Sequence, residues 1–554
     1  MSAPHRLARW MAVAAAAAAL AGAAASCVKV NMGYPEQYVG PSKTQAAPPT
    51  GVPLPGTKAA PPVKPGEPPV PAPLAPEKKL EPVKVTVRDA IVTALANNQA
   101  LVVQKLNPSI THTFEVQQAA VFDPALTADL SRQRNITQSR GGNASTAQSA
   151  TGVAGVRQLL PTGTQIGATA ETHVSHGSFS GADFFTTRVG MTVTQSILRG
   201  YGLDVNLASL RQARIDTLST EYQLRGFAEA LIAQVEETYW DYTLAQRQIE
   251  IFQQSLDLAQ RQLDETNERI RIGKLAEIER AASEAEVALR REDLINAHAA
   301  LTTTRLQLLR LLSPAVPSYW SREIVIETPP TVPDFSPEEV EAHVQVAERL
   351  RPDLNQARLQ VSRGDLQIVK TKNGLLPKLD LFMTLGKTGY AGTFGRSVEH
   401  MDDRGYDLLV GASFEYPPLN RDAKAQDTRA VLSRRQSAEA VSNLAQLVEL
   451  DVRTAYVEVN RAREQVAATA VTRRLQEEKV RAEMEKFRVG KSTTLLVAQA
   501  QRDLLQSQIG EVSAVVANLK AIVELFRLEG SLLLRRGIEA PGRDPVELTK
   551  NDNL

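Results

Sequence analysis

The sequence predicts a mainly α-helical chain that also carries the strands of a membrane β-barrel, built as two structural repeats. Three observations lead there. A long proline-free stretch carries a heptad seam, its features return at a fixed offset, and short segments beside it alternate apolar and polar residues.

The chain has 554 residues and a formal net charge of +1, with 5% aromatic and 23% charged residues. A balanced charge offers no electrostatic case for nucleic acid. Residues 1–26 read as a secretory signal: Arg6 and Arg9 form a basic start, and Met11 to Ala25 a short alanine-rich apolar run. Ala24, Ala25 and Ser26 place small residues before Cys27, the only cysteine, so no intrachain disulfide forms. This arrangement resembles a bacterial lipobox, with Ala24 where a leucine is usual, and implies that Cys27 is lipidated; the alternative is a cleaved signal with an incidental cysteine. Val28 follows, with no aspartate to suggest inner-membrane retention. Residues 27–82 form a tether. From Gly40 to Pro82 it is rich in proline, alanine and lysine, which packs no core. No later segment is an uninterrupted apolar run of helix-spanning length, so a mature chain that crosses a membrane does so as a β-barrel.

Leu203 to Arg271 lacks proline and ends in Arg271-Ile272-Gly273-Lys274. Val235, Tyr242, Ile249, Leu256, Leu263 and Ile270 recur every seventh residue, beside a weaker seam of Thr238, Ala245, Phe252, Ala259 and Thr266. This predicts a long helix packed in a left-handed coiled coil. At ~1.5 Å per residue the rod is roughly 100 Å long.

The turn returns as Arg488-Val489-Gly490-Lys491, an offset of 217 from Gly273 to Gly490. The same offset carries Tyr239 onto Tyr456, Val235 onto Val452 and Ile249 onto Val466. The second seam runs Val452, Val459, Val466, Val480, Phe487, broken once at Arg473. Each half has a first helix (about Val85 to Ala96; Pro337 to Lys372), then alternating segments, the long helix, the Gly-Lys turn and a returning helix (Ala276 to Leu312; Thr493 to Leu534). A linker from Pro314 to Pro333 joins the halves. The repeats span 83–332 and 333–536, and 537–554 is a C-terminal tail.

In Lys378 to Lys387, Leu379, Leu381, Met383 and Leu385 oppose Asp380, Thr384 and Gly386, with Phe382 as an exception. In Tyr406 to Tyr416, Leu408, Val410, Ala412 and Phe414 oppose Asp407, Leu409, Gly411, Ser413 and Glu415. Val189, Met191 and Val193 alternate likewise with Arg188, Gly190, Thr192 and Thr194. Period two over about ten residues suits a strand with lipid on one side and water on the other, and equally a half-buried soluble strand. The strand openings at Pro124 and Pro377 are 253 apart, against 217 for the helices, so the first half holds about 36 extra residues near 151–183. These also alternate and are read as an additional hairpin or an elongated loop.

No phosphate loop, dinucleotide-binding glycine motif or His-Glu-x-x-His is present. His173 and His176 lie three apart in the loop-rich insertion, where a metal site is the less favoured reading. Asp402-Asp403 and Glu236-Glu237 are read as solvated charge pairs, and Tyr239, Trp240 and Tyr242 as packing. No cofactor, metal or catalytic set is expected.

The order of signal and cysteine, proline-rich tether, two repeats and paired Arg-x-Gly-Lys turns resembles the TolC family of outer-membrane efflux proteins, over about residues 83 to 536. Leu350-Arg351-Pro352-Asp353-Leu354, Leu375-Leu376-Pro377-Lys378-Leu379 and Thr194-Gln195-Ser196-Ile197-Leu198-Arg199-Gly200 are similar to the family's phrases. The resemblance implies a homotrimer. Each chain would give two β-hairpins to a shared 12-stranded barrel in outer-membrane lipid, and its helices would form a hollow periplasmic α-barrel. It implies a passive exit duct for small molecules or proteins in a tripartite efflux or type I secretion system. The turns Arg271, Ile272, Gly273, Lys274 and Arg488, Val489, Gly490, Lys491 would meet a periplasmic adaptor (membrane fusion) protein. That adaptor joins an inner-membrane pump of RND, ABC or other type. Some members close the tip with acidic residues, but Leu496 and Gln499 stand at those positions here. Glu277 and Glu279 are the nearest carboxylates: in a trimer they would ring the pore three times over as a tip gate that favours cations, or they are solvated first-turn helix residues suited to the dipole, the preferred reading. Phe487 is a constriction or, as a seam residue, packed. The competing readings are a periplasmic adaptor and a coiled-coil structural lipoprotein of the envelope without a channel.

Overall fold

The computed structural model describes residues 83–138, 144–176, 183–312, 320, 322–332, 335–402, 405–542 and 544–546. The signal, Cys27, the tether and residues 313–319, 321 and 333–334 around the inter-repeat linker lie outside the described residues.

The first repeat begins with β1 (Val83–Val85) and α1 (Val87–Asn97), capped by Thr86 and Asp89 in a reciprocal capping box. Helix α2 (Gln99–Ala119) follows, then β2 (Ala125–Gln138), β3 (Ala144–Leu159), β4 (Thr164–His176) and β5 (Asp183–Ser196). The long rod is α3 (Ala208–Arg271), entered through one helical turn at Leu203–Asn206, and α4 (Ile278–Leu312) returns. After β6 (Ile324–Ile326) the second repeat holds α5 (Val340–Leu350), α6 (Pro352–Gly374), β7 (Lys378–Ala391), the short α7 (Phe394–Glu399) and β8 (Asp407–Glu415). It closes with α8 (Arg421–Arg488), α9 (Thr494–Leu528) and α10 (Leu532–Arg535).

The core lies midway along the rods. Ile232, Val235 and Tyr239 of α3 pack with Leu308 and Leu312 of α4, Val448, Val452 and Val459 of α8, and Leu525 of α9. The Tyr239 hydroxyl donates to the Val85 carbonyl (3.2 Å) and that of Tyr242 to the Ile324 carbonyl (3.0 Å). The aromatic cluster thus ties the rod to the small parallel sheet β1–β6. Arg473, the break in the second seam, reaches Glu511 of α9 at 2.6 Å, so an interhelical ion pair replaces an apolar knob. The C-terminal segment is clasped to the rods: Arg225 donates to the Gly542 carbonyl (3.1 Å), and the Val546 amide donates to Asn355 (2.9 Å).

Several expectations need correction. In the first repeat the expected helix is followed by a second, α2, with Asn98 as the break between them. Its side chain caps α2 by accepting from the Leu101 amide (3.1 Å) and donates to the Leu311 carbonyl (3.1 Å). Pro108 hides α2 in the sequence, yet the helix runs through it, supported along α3. In the second repeat the break is Arg351, which is extended (φ −61°, ψ 122°) as a residue before proline prefers. Glu236 is not solvated: it is 1% exposed, and Arg536 holds it through two hydrogen bonds of 2.7 and 2.5 Å.

The largest correction concerns the strands. The chain carries six in one antiparallel sheet, ordered β2-β3-β4-β5-β7-β8, not two hairpins. The extra residues of the first half are β3 and β4, inserted between its two ordinary strands.

Near the core, Glu229 is buried beside Arg225, and its Oε1 lies 3.3 Å from the arginine Nε. Burial pushes its carboxyl up to about 7, against the opposing pull of Arg225. A raised carboxyl favours the fold fully below its unfolded value of 4.5, and this contribution is lost as pH rises through about 7. Thermal stability in detergent should therefore fall between pH 5 and pH 8, by at most about 3 kcal/mol from this group. Glu229→Gln should flatten the fall. An unchanged pH profile in the variant would show that other groups cause it.

Candidate functional site

The sheet is two-sided along its whole width. Its register sets Leu126, Val156, Ala168, Met191, Leu385 and Leu408 side by side, one per strand. A second apolar row runs Ile166, Val193, Met383, Val410. The neighbouring row on the opposite face is Thr127, Gly155, Thr169, Gly190, Gly386, Asp407. The apolar band on this face is uncovered: Leu126, Leu130, Met191, Leu385 and Val410 are all exposed. Farther along the same face, α7 covers Thr187, whose hydroxyl is hydrogen-bonded to Ser397. An exposed apolar band with a polar reverse face is what a membrane barrel strand requires. On the polar face Arg188 pairs with Asp407 across β5, β7 and β8. Phe382, the exception to alternation, lies over Gly411 directly opposite. A Cβ there would stand 2.4 Å from its ring, so the bare glycine makes its seat. His173 and His176 fall on opposite faces, as three-residue spacing on a strand dictates, and bond separately to Thr151 and Asp183. No metal-binding cluster occurs among the described residues.

The helices nearest the sheet repeat its order. α2 packs on α3, α3 on α6, and α6 on α8, so α2 and α8 are the outer members. The chain runs from α2 into β2 and from β8 into α8, so each free edge of the sheet continues as a free edge of the helical layer. Both helical edges carry uncovered apolar residues: Val103, Leu106, Ile110 and Phe114 on α2, and Leu432, Leu447, Leu450 and Val457 on α8. Sequence reasoning missed this edge because α2 itself was missed; the spacing of its four apolar residues was the available signal.

The other end of the rods holds the two turns. Gly273 (φ 73°) and Gly490 (φ 76°) adopt the left-handed conformation. The Gly273 amide donates to Ile270 (2.9 Å) and Lys274 to Arg269 (2.9 Å); Gly490 donates to Phe487 (3.0 Å) and Lys491 to Lys486 (2.8 Å). Both turns are Schellman closures, so their left-handed backbone favours glycine. Thr493 caps the returning α9. Arg271 is exposed and hydrogen-bonded to Glu268, which it holds below the usual carboxylate range; Arg488 binds Glu485 at 2.9 Å. Ile272, Lys274, Val489 and Lys491 are exposed, so each turn presents an apolar tip flanked by cations.

The two turns touch. Arg269 lies over the Phe487 ring, 4.4 Å from its centroid, and donates to the Phe487 carbonyl at 3.0 Å. Phe487 is accordingly buried, a packed seam residue. Glu279 accepts from the Thr494 hydroxyl, so it joins the two hairpins. Glu277 is free of that contact and largely exposed, 3.8 Å from Arg280. Leu496 and Gln499 are exposed on α9. Arg269 was missed; the 217-residue echo, which sets Lys486 at the same place, was the signal. Arg269→Ala removes a charge-assisted hydrogen bond worth about 1.5–3 kcal/mol. Amide hydrogen exchange near residues 486–490 should speed up about tenfold or more. Unchanged exchange would show that other contacts hold the turns together.

The family model described as outer membrane efflux protein matches residues 165–313 and 344–531. A search of curated proteins found no match. Among solved structures, the chain is similar in fold to the Campylobacter jejuni CmeC outer membrane channel (14% identity, TM-score 0.61, covering 80% of this chain and 86% of that one). It is likewise similar to the open state of the Neisseria gonorrhoeae MtrE outer membrane channel (18%, 0.57, 80% and 89%). A third similar structure is the outer membrane protein VceC of Vibrio cholerae (14%, 0.60, 80% and 96%).

Proposed function

Because the chain belongs to the outer membrane efflux protein family, we propose that three copies of it form a passive exit duct of a tripartite efflux or type I secretion system. The observation that carries this reading is the pair of matching free edges. α2 and β2 end the protomer on one side, β8 and α8 on the other, and each exposes apolar side chains beside unpaired strand backbone. Such edges are unstable in isolation and are removed when a sheet closes on itself. Closure around a three-fold axis puts the polar sheet face on the lumen and the apolar face on lipid.

The Gly273 and Gly490 turns then form the periplasmic docking end, six apolar tips ringed by cations, for a periplasmic adaptor that joins an inner-membrane pump. Energy comes from that pump; this chain conducts and carries out no reaction. Residues 1–26 are the signal, and Cys27 is the acylated start of a tethered anchor over 27–82. Residues 83–332 and 333–536 are the repeats, and 537–554 is the tail. Purified protein in planar bilayers tests the duct: stable channels from an SDS-resistant trimer are expected, and a monomer without conductance would overturn it.

A further inference from the structure

We propose that residues 144–176, the strands β3 and β4, are wall strands of the barrel, so that three copies close an 18-stranded barrel rather than a 12-stranded one. The inference rests on the trimeric duct reading and adds to it the width of the exit.

Three observations carry it. First, β3 and β4 are fully laddered into the sheet, with β3 against β2 from Ala125↔Arg157 to Gln138↔Ala144 and β4 against β5 from Thr164↔Gln195 to His176↔Asp183. An external hairpin would leave β2 and β5 paired to each other. Second, sidedness is kept. Val156, Ala154, Ile166, Ala168, Ala170 and Val174 continue the apolar face, whereas Thr151, Gln165, Thr169 and Glu171 continue the polar one. A one-residue slip would have inverted this. Third, the inserted turn is seated where sheet meets helix. Gly163 (φ 87°) lies so close to Gly200 that a Cβ would stand 2.2 Å from the Gly200 carbonyl oxygen, and the Gly202 amide donates to Thr162 (3.3 Å).

Six is also an even number, so β2 and β8 run in opposite directions and the edges of adjacent copies meet antiparallel. The dimensions agree with the helices below. At ~4.8 Å spacing and ~40° tilt, six strands span roughly 37 Å of arc and four strands roughly 25 Å. Four helices at ~9 Å spacing span roughly 36 Å. The inserted hairpin makes the barrel as wide as the helical tube it crowns. Diameter grows about linearly with strand number, so the mouth is roughly 1.5-fold wider, and its area roughly twofold larger, than with twelve strands. Size selection of cargo then falls on the tip, not on the exit.

Two measurements on the full-length trimer test this. Nitroxide labels on single cysteines at Ala154, Ala168 and Ala170, in a Cys27→Ser background, should be accessible to oxygen dissolved in lipid. Labels at Thr151, Thr169 and Glu171 should be accessible to an aqueous nickel complex. In planar bilayers, the polyethylene glycol size excluded from the outer mouth should fall by about a third in radius when residues 144–176 are deleted. If the deletion does not fold, the label pattern decides. Water-accessible labels on both faces of a conducting trimer would place the hairpin outside the wall and overturn the proposal while leaving the duct. Absence of any trimer or pore would overturn both.

Discussion

The double variant Gly273→Pro with Gly490→Pro should leave trimers in the membrane and abolish export. Both glycines sit near φ +75°, and proline is fixed near −65°. Proline also removes the amides that donate to Ile270 and Phe487, so both Schellman closures are lost. The damage stays local, because the core lies far along the rods among residues such as Val235 and Val452. Gly→Ala is the informative companion. A Cβ at either position meets open space, so alanine carries only the left-handed backbone cost, about 1–2 kcal/mol per turn. Alanine variants should still export. Wild-type export from the proline pair, scored by drug susceptibility or secreted product with surface-exposed trimers verified, would refute the docking role of the turns.

The second large effect is in the wall, at two adjacent residues. Val410 and Leu409 are both exposed apolar residues on β8, but the register puts Val410 beside Met383 on the apolar face and Leu409 beside Thr384 on the polar face. Arginine on the lipid face of a barrel costs about 2–4 kcal/mol near the bilayer midplane. A trimer carries the change three times, roughly 6–12 kcal/mol, comparable to a domain's whole stability. Val410→Arg should therefore remove assembled trimers from the outer membrane. Leu409→Arg should assemble normally and shift ion selectivity toward anions. Equal loss from both would mean that the two faces do not separate lipid from water.

The long rods and their turns were legible because their causes are local. A seven-residue apolar repeat needs no partner to be read, and a glycine after a cationic last turn announces its own reversal. The strands on either side of Met191, Met383 and Val410 were legible for the same reason, since side-chain period follows from backbone geometry. What was not legible depends on partners distant in the chain. Arg473 looks like a fault in the seam until Glu511 stands beside it. Phe382 looks misplaced until Gly411 is found opposite. Glu236 looks solvated until Arg536, far along the chain, closes on it. Helix α2 was hidden by Pro108, whose cost a tertiary neighbour offsets. Offset counting located the inserted residues but not their destination: alternation is the same for a wall strand and a loop hairpin, and only pairing to β2 and β5 distinguishes them.

The central claim is that the protomer's two edges meet in a ring, and one crosslink tests it directly. A benzophenone amino acid in place of Phe114, on the exposed stripe of α2, should on irradiation yield dimer- and trimer-sized products. The linked peptides should come from α8, between Arg421 and Arg488, of a second copy. Links confined to the same chain, or to α2 of another copy, would contradict closure of α2 against α8.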